Sequence, residues 1–207
     1  MHVPGSPGDG LPLVLLHGSN GTERDLLGLA ADVRPAASLL AVRGDVVMDP
    51  GFAFFRRFPD RRVDVDDLRS RASRLARFIR LAGAGPRGDK PIAIGYSNGA
   101  IMAIALLLDA PDVLAGAILL RPLLPFEPGP GAAGLAKPVL VVDGADDRRR
   151  APDDGLRVCR ALRRAGALVR HETSASGHLI GPDDVAAARS WLEGFAPPPG
   201  PGEQRRR

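Results

Sequence analysis

The sequence predicts an α/β fold: a mostly parallel sheet of about six to seven strands with helices on both faces and no lid domain. Two observations carry this prediction. Short, continuously apolar runs alternate with longer segments of helical periodicity along the 207 residues, and such runs are typical of strands buried on both faces. Glycine and proline, with 25 and 20 residues, punctuate the chain between these segments, so most elements can be delimited.

The predicted elements alternate from residue 13 onward. The strands are residues 13–16, 38–42, 92–94, 117–120, 139–142 and a weaker 167–172, and the helices are residues 22–33, 64–81, 98–108, 153–165 and 182–195. Thr22 and Asp25 resemble a capping box that would begin the first helix. Right-handed crossovers place the carboxyl ends of the strands at one edge of the sheet, where open α/β sheets bind ligands.

Composition restricts the class of protein. The single cysteine, Cys159, excludes an intramolecular disulfide and suits a reducing compartment. The net charge is +4, but the arginines are scattered rather than clustered on one face, so no nucleic-acid partner is expected. No segment has the length of a signal core or a membrane span. We therefore expect a soluble cytoplasmic protein, and we leave the oligomeric state open, with a homodimer as one option.

One domain accounts for this length. We expect it to cover residues 11–196, with a flexible segment at residues 1–10 and a disordered tail rich in Pro, Gly and Arg at residues 197–207.

The strongest local pattern is Gly95-Tyr96-Ser97-Asn98-Gly99, which follows a predicted strand directly and begins a predicted helix. A serine on a sharp strand-to-helix turn needs small neighbours, because the backbone there is strained and adjacent chain passes close. The turn exposes the hydroxyl above the sheet and aims the first N–H groups of the helix at the same point. Ser97 is therefore the predicted nucleophile.

A serine hydroxyl needs a base, and His178 is the best placed of the four histidines. It lies in a loop between the last strand and the last helix, so it reaches the same edge of the sheet late in the chain. The base needs an acid to orient it, and Asp146 and Asp147 both follow the strand at 139–142. Spacing alone leaves the choice between these two carboxylates open, whereas Asp143 lies too early.

The sequence indicates the oxyanion hole and the substrate pocket less clearly than it indicates Ser97 and His178. The turn after the first strand can bring the backbone N–H of Ser19 beside that of Asn98, and two such donors would hold an oxyanion. Apolar residues at 52–55 and 122–126, among them Phe54, Phe55 and Leu123, would either line a substrate pocket or belong to the core. We expect no cofactor and no metal.

Several motifs in this order resemble the carboxylesterase/phospholipase branch of the α/β hydrolases, especially small bacterial esterases associated with hydroquinone stress and often encoded beside ring-cleaving dioxygenases. The resemblance runs from about residue 12 to residue 191. Its motifs are Pro12-Leu13-Val14-Leu15-Leu16-His17-Gly18, Val42-Arg43-Gly44, Phe54-Phe55-Arg56-Arg57, Gly95-Tyr96-Ser97-Asn98-Gly99, Leu120-Arg121-Pro122 and Gly177-His178. The resemblance implies a lidless α/β-hydrolase fold and, through the family pattern Gly-x-x-Asp on residues 144–147, selects Asp147 as the acid. The chain departs from the family where Arg148, Arg149 and Arg150 replace proline and apolar residues.

The resemblance implies a serine carboxylesterase that hydrolyses small carboxylic esters through an acyl-enzyme intermediate. A thioesterase or a lysophospholipase would use the same machinery with a different acyl group, and a non-catalytic hydrolase-like binding protein would lack an intact triad. The sequence does not specify the ester or the role of the three arginines after Asp147.

Overall fold

The structure, a computed structural model, describes residues 1–3, 12–82, 89–129 and 133–194. Its strands are β1 His2–Val3, β2 Leu13–Leu16, β3 Leu39–Val42, β4 Val46–Val47, β5 Phe52–Ala53, β6 Ile92–Tyr96, β7 Gly116–Leu120, β8 Pro138–Gly144 and β9 Leu168–Ser174. Its helices are α1 Leu27–Val33, α2 Val65–Ala82, α3 Asn98–Asp109, α4 Asp154–Arg164 and α5 Pro182–Glu193.

The main sheet confirms the predicted α/β class. Its strand order is β1-β3-β2-β6-β7-β8-β9, and every neighbouring pair is parallel except β1 with β3. The chain moves outward from β2 to β3 and then returns to the other side of β2 with β6. The strand order therefore reverses between β2 and β6, which is where sheets of this kind form a crevice.

Apolar side chains of alternating residues pack on opposite faces of the sheet. In β2, Val14 and Leu16 belong to the core shared with α2, α3 and α4, whereas Leu13 and Leu15 belong to the core shared with α1 and α5. Helix α3 is buried on all sides from Asn98 to Leu108, as expected for a helix without a solvent-facing stripe. This burial fixes the end of α3 that follows Ser97.

The first helix begins at Leu27, so the predicted start at Thr22 is wrong by five residues. Thr22 does contact Asp25, donating from Oγ1 to Oδ1 at 2.8 Å. However, the backbone bonds here join Asp25 N–H to the Thr22 carbonyl and Leu27 N–H to the Arg24 carbonyl. These span three residues rather than four, so the segment forms tight turns instead of α-helix.

Within the segment that we expect to be flexible, the first described residues form a short strand. His2–Val3 pairs antiparallel with Leu39 and Leu40 at the edge of the sheet, because the edge strand β3 has free backbone groups to offer. Residues 4–11 and the predicted tail at 197–207 lie outside the described residues. Within the described part of the chain, no helix combines the length and apolar character needed to cross a membrane.

Candidate active site

Ser97 occupies a strained turn between β6 and α3. Its φ is 50° and its ψ is −100°, a region that residues other than glycine rarely adopt. Its N–H donates to the Leu120 carbonyl of the neighbouring strand at 2.9 Å. A Cβ on Gly99 would meet the backbone carbonyl of Leu16, and a Cβ on Gly95 would lie 2.6 Å from the Gly99 carbonyl oxygen. The two glycines of the motif are therefore required by close backbone packing around Ser97.

The structure brings Ser97, His178 and Asp147 together at the carboxyl edge of the sheet. The Ser97 Oγ lies 3.1 Å from His178 Nε2, and His178 Nδ1 lies 2.7 Å from Asp147 Oδ2. The second oxygen of Asp147 accepts the N–H of Arg149 at 2.8 Å. Because an ionised carboxylate only accepts hydrogen bonds, Nδ1 carries the imidazole proton and Nε2 accepts from the serine hydroxyl.

The surroundings of His178 favour the neutral form of its imidazole. Burial lowers the pKa of His178, the hydrogen bond and charge of Asp147 oppose this, and the positive charges of Arg150 and Arg149 lower the pKa further. The net direction is downward from the ordinary value of 6.5. At neutral pH the Nε2 lone pair is therefore available to accept a proton.

The other acidic candidates have different surroundings. The Asp146 side chain is exposed, and its backbone N–H donates to the Ser176 carbonyl at 3.3 Å. Asp143 binds His171, with 2.7 Å between Oδ2 and Nε2. Geometry thus separates Asp147 from Asp146, which spacing in the sequence could not do.

His17 is buried beside the turn after β2 rather than at the serine. Its Nδ1 lies 2.6 Å from the Gly18 carbonyl oxygen, and its Nε2 accepts the N–H of Gly44 at 3.0 Å. Burial lowers its pKa, which keeps it neutral in this role. Both ring nitrogens are therefore used to join the turn after β2 to the chain after β3.

The two predicted oxyanion donors belong to separate segments of the chain. Ser19 is exposed in the turn after β2, and Asn98 begins α3. The turn packs tightly on Tyr96, the residue before Ser97, since a Cβ on Gly18 would lie 2.9 Å from the Tyr96 ring. The side-chain oxygen of Asn98 accepts the N–H of Phe54 at 2.8 Å. The group predicted to hold an oxyanion is the backbone N–H of Asn98. The oxyanion role of Ser19 and Asn98 stays a prediction.

The three predicted pocket residues have different surroundings. Phe54 lines a cavity of about 350 Å³ together with Val42, Arg43, Gly44, Asp45, Arg71, Arg74, Leu75, Phe78 and Met102. None of Ser97, Asp147 and His178 lines this cavity. Phe55 is buried beneath the guanidinium of Arg57, and Leu123 packs half-buried on the core. A substrate role for these three residues stays a prediction.

Arg150 contacts Ser97, and the sequence did not predict this contact. Its Nη2 donates to Ser97 Oγ at 3.1 Å, and its Nε donates to the carbonyls of Arg121 and Pro122 at 3.0 and 3.1 Å. In the sequence, Arg150 stands out only as one of three consecutive arginines in the loop after β8.

A second unpredicted feature holds the loop that carries His178. The fully buried side chain of Arg121 donates to both carboxylate oxygens of Asp184, each at 2.8 Å. It also donates to the carbonyls of Gly177 and Leu179 at 2.8 and 3.3 Å, one on each side of His178. The Tyr96 hydroxyl adds a bond to the His178 carbonyl at 3.1 Å. His178 is thus positioned by contacts to its own backbone and to the backbone of both neighbouring residues.

Potential metal ligands are not clustered in the described parts of the chain. Across residues 1–3, 12–82, 89–129 and 133–194, no group of three or more His, Cys, Asp or Glu side chains is arranged to hold a metal ion.

The chain is similar to bacterial hydrolases along most of its length. It is 37% identical over 185 residues to the Bacillus subtilis (strain 168) protein named "Putative hydrolase MhqD", covering 87% of this chain and 92% of that protein. The crystal structure of the Bacillus cereus carboxylesterase matches with a TM-score of 0.87 and 34% identity over 94% of this chain and 92% of that one. The Mesorhizobium loti carboxylesterase matches with a TM-score of 0.81 and 34% identity over 88% of each chain. A scan against protein-family models found no match.

Proposed function

The chain belongs to the carboxylesterase family of α/β hydrolases, and from this premise we propose that it hydrolyses small carboxylic esters through an acyl-enzyme intermediate on Ser97. The observation that supports the proposal is the continuous set of contacts from Ser97 Oγ to His178 Nε2 and from His178 Nδ1 to Asp147. This order of nucleophile, base and orienting acid is the arrangement that activates a serine hydroxyl.

In the first half of the reaction, Ser97 Oγ attacks the ester carbonyl carbon while His178 Nε2 takes the hydroxyl proton. Asp147 stabilises the imidazolium that results and keeps the ring in the required orientation. The tetrahedral oxyanion would be held by the backbone N–H groups of Ser19 and Asn98, and such a donor contributes on the order of 3 kcal/mol to the transition state. His178 then donates the proton to the leaving alcohol, and the acyl group stays on Ser97.

In the second half, water takes the place of the alcohol. His178 removes a proton from the water, the hydroxide attacks the acyl carbon, and the tetrahedral intermediate collapses with Oγ as the leaving group. The proton returns from His178 to Oγ, which releases the carboxylic acid and restores the starting state.

Turnover of p-nitrophenyl acetate by purified protein tests the proposal. We expect Ser97→Ala to lower kcat by about 10⁴-fold or more and to abolish labelling by a fluorophosphonate probe. Ser70→Ala, at an exposed position on α2, is the matched control and retains both. Equal hydrolysis by the wild-type protein and Ser97→Ala, or labelling that survives this substitution, would remove the basis for the proposal.

A further inference from the structure

We propose that Arg150 binds a carboxylate of the substrate, so that the protein prefers esters that carry a carboxylate a few bonds from the scissile carbonyl over neutral esters of the same shape. This inference rests on the proposed function of Ser97 and deepens it, because it adds the charge of the substrate to the chemistry of the bond.

The first support is the position of the guanidinium. Arg150 Nη2 lies 3.1 Å from Ser97 Oγ, the atom that forms the bond to the ester carbonyl carbon. A group two or three bonds from that carbon therefore passes within reach of Arg150 in the acyl-enzyme. Arginine presents several N–H donors in a planar fork that matches the two oxygens of a carboxylate.

The second support is that, within the described parts of the chain, the positive charge of Arg150 has no acidic partner at ion-pair distance. The partly buried Arg71 pairs with Asp45 and Asp67, and the buried Arg121 pairs with Asp184. Among the ion pairs of the described residues, by contrast, none involves Arg150 or Arg57. Among the acidic groups that act on Arg150, Asp147 raises its pKa the most, but the two oxygens of Asp147 are taken by His178 and by the Arg149 N–H.

The same conclusion follows from the neighbourhood of Arg57. Burial lowers the pKa of Arg57, and the positive charges of Arg150 and Arg61 lower it further. Burial also lowers the pKa of Arg150, although a guanidinium stays charged under all ordinary conditions. Two half-buried cations that repel one another are an unfavourable arrangement, and a bound anion would relieve the repulsion.

The third support is that the guanidinium is oriented before any ligand arrives. Arg150 Nε donates to the carbonyls of Arg121 and Pro122. Arg121 has a φ of 55°, an uncommon conformation for a residue with a side chain. These contacts hold one edge of the guanidinium with backbone atoms. Its contact with Ser97 Oγ is a single hydrogen bond to a neutral acceptor, which a carboxylate would replace with stronger bonds between opposite charges.

The experiment compares two substrates of equal shape and different charge. Monomethyl succinate carries a carboxylate, and methyl succinamate carries a neutral amide in its place; release of methanol measures the hydrolysis of both. We expect the wild-type kcat/KM to be about tenfold or more higher for the anionic ester, and 0.5 M NaCl to reduce this ratio. A second pair, acetoxyacetate and its amide, places the carboxylate on the alcohol side and shows which side of the ester Arg150 serves.

Variants separate substrate binding from a role in holding the loop. Arg150→Gln should bring the ratio close to one, mainly through a higher KM for the anion, whereas Arg150→Lys should leave it in between because the fork is lost. Arg148→Gln removes a charge from an exposed neighbouring position and should keep the wild-type ratio. Because each ratio is taken within one protein, a general loss of activity cancels out.

The outcomes distinguish this inference from the function on which it rests. A wild-type ratio near one in both substrate pairs, or a ratio that Arg150→Gln leaves unchanged, overturns the carboxylate site while the esterase proposal stands. An absence of any Ser97-dependent hydrolysis, with p-nitrophenyl acetate included, overturns both.

Discussion

Arg121 and Asp184 form a fully buried bidentate ion pair, and the remaining donors of Arg121 hold the backbone on both sides of His178. The pair joins the end of β7 to the first turn of α5 and encloses the loop between β9 and α5. A flexible loop would let the imidazole drift from Ser97 Oγ, and displacement of about 1 Å can cost on the order of 10²-fold in rate. The ion pair therefore connects the stability of the fold to the geometry of the site.

Breaking this pair should destabilise the protein strongly. Asp184→Asn leaves the Arg121 guanidinium buried without a compensating charge, and we expect the free energy of unfolding to fall by about 3–5 kcal/mol. Urea denaturation followed by circular dichroism measures this change. Asp112→Asn is the control, because Asp112 binds Arg80 through the same two-oxygen geometry at an exposed position and should alter stability little. Similar losses in both variants would contradict the argument from burial.

The choice of Asp147 over Asp146 makes a separate prediction. Asp147→Asn keeps the shape of the side chain but offers an N–H or a weaker acceptor to His178 Nδ1, which favours the wrong imidazole tautomer. We expect kcat for p-nitrophenyl acetate to fall by about 10²–10⁴-fold with little change in KM. Asp146→Asn, one residue away and exposed, should stay close to the wild type. A larger loss in Asp146→Asn would reverse the assignment.

The pH dependence of hydrolysis should follow the environment of His178. Hydrolysis requires the neutral imidazole, so activity is lost as pH falls through its pKa, which burial places below 6.5. Nearby positive charge disfavours the imidazolium, and removing it in Arg150→Gln should therefore move the acidic limb of kcat/KM to higher pH. A profile on a neutral ester measures this shift. Arg148→Gln should leave the limb in place, and a downward shift in Arg150→Gln would contradict the electrostatic explanation.

Two glycines in helices should respond in opposite ways to alanine. A Cβ at Gly99 would meet the Leu16 carbonyl, so we expect Gly99→Ala to lower the free energy of unfolding by about 1–3 kcal/mol. Among the described residues, an added Cβ on Gly28 in α1 would meet no atom within 4 Å beyond its own helix backbone and chain neighbours. Gly28→Ala should therefore stabilise by about 0.5–1 kcal/mol. Thermal or urea denaturation distinguishes the two, and a stabilising Gly99→Ala would show that the turn can move away from β2.

Short apolar runs and helical periodicity predicted the central strand and the central helix of the fold closely. The apolar run at residues 13–16 became β2 with the same bounds, and the helix predicted at 98–108 became α3, one residue longer. The start of α1 was missed because Thr22 and Asp25 bind each other equally well in a tight turn. Hydrophobic periodicity does not distinguish a helix start from a tight turn when the candidate capping residues lie before the first apolar residues of the helix.

The site was predictable where chain order and turn chemistry constrain it, and less so elsewhere. Ser97, His178 and Asp147 were chosen from their places after strands, with a family resemblance needed for the acid, and the structure brings these three side chains into contact. The contacts of Arg150 with Ser97 and of Arg121 with Asp184 join residues 53 and 63 positions apart. Such pairings depend on how loops fold over the sheet edge, and no spacing in the sequence encodes them.

The way Arg150 is anchored has a consequence for how this protein can diversify. The Nε of Arg150 is held by carbonyl groups of the main chain. Among the described residues, replacing Arg150 would therefore leave no ion-paired carboxylate without its partner, whereas replacing Arg121 would leave the buried Asp184 unpaired. Substitution at position 150 should therefore reduce stability less than substitution at position 121. The preference for charged or neutral esters can then change during evolution while the fold is retained.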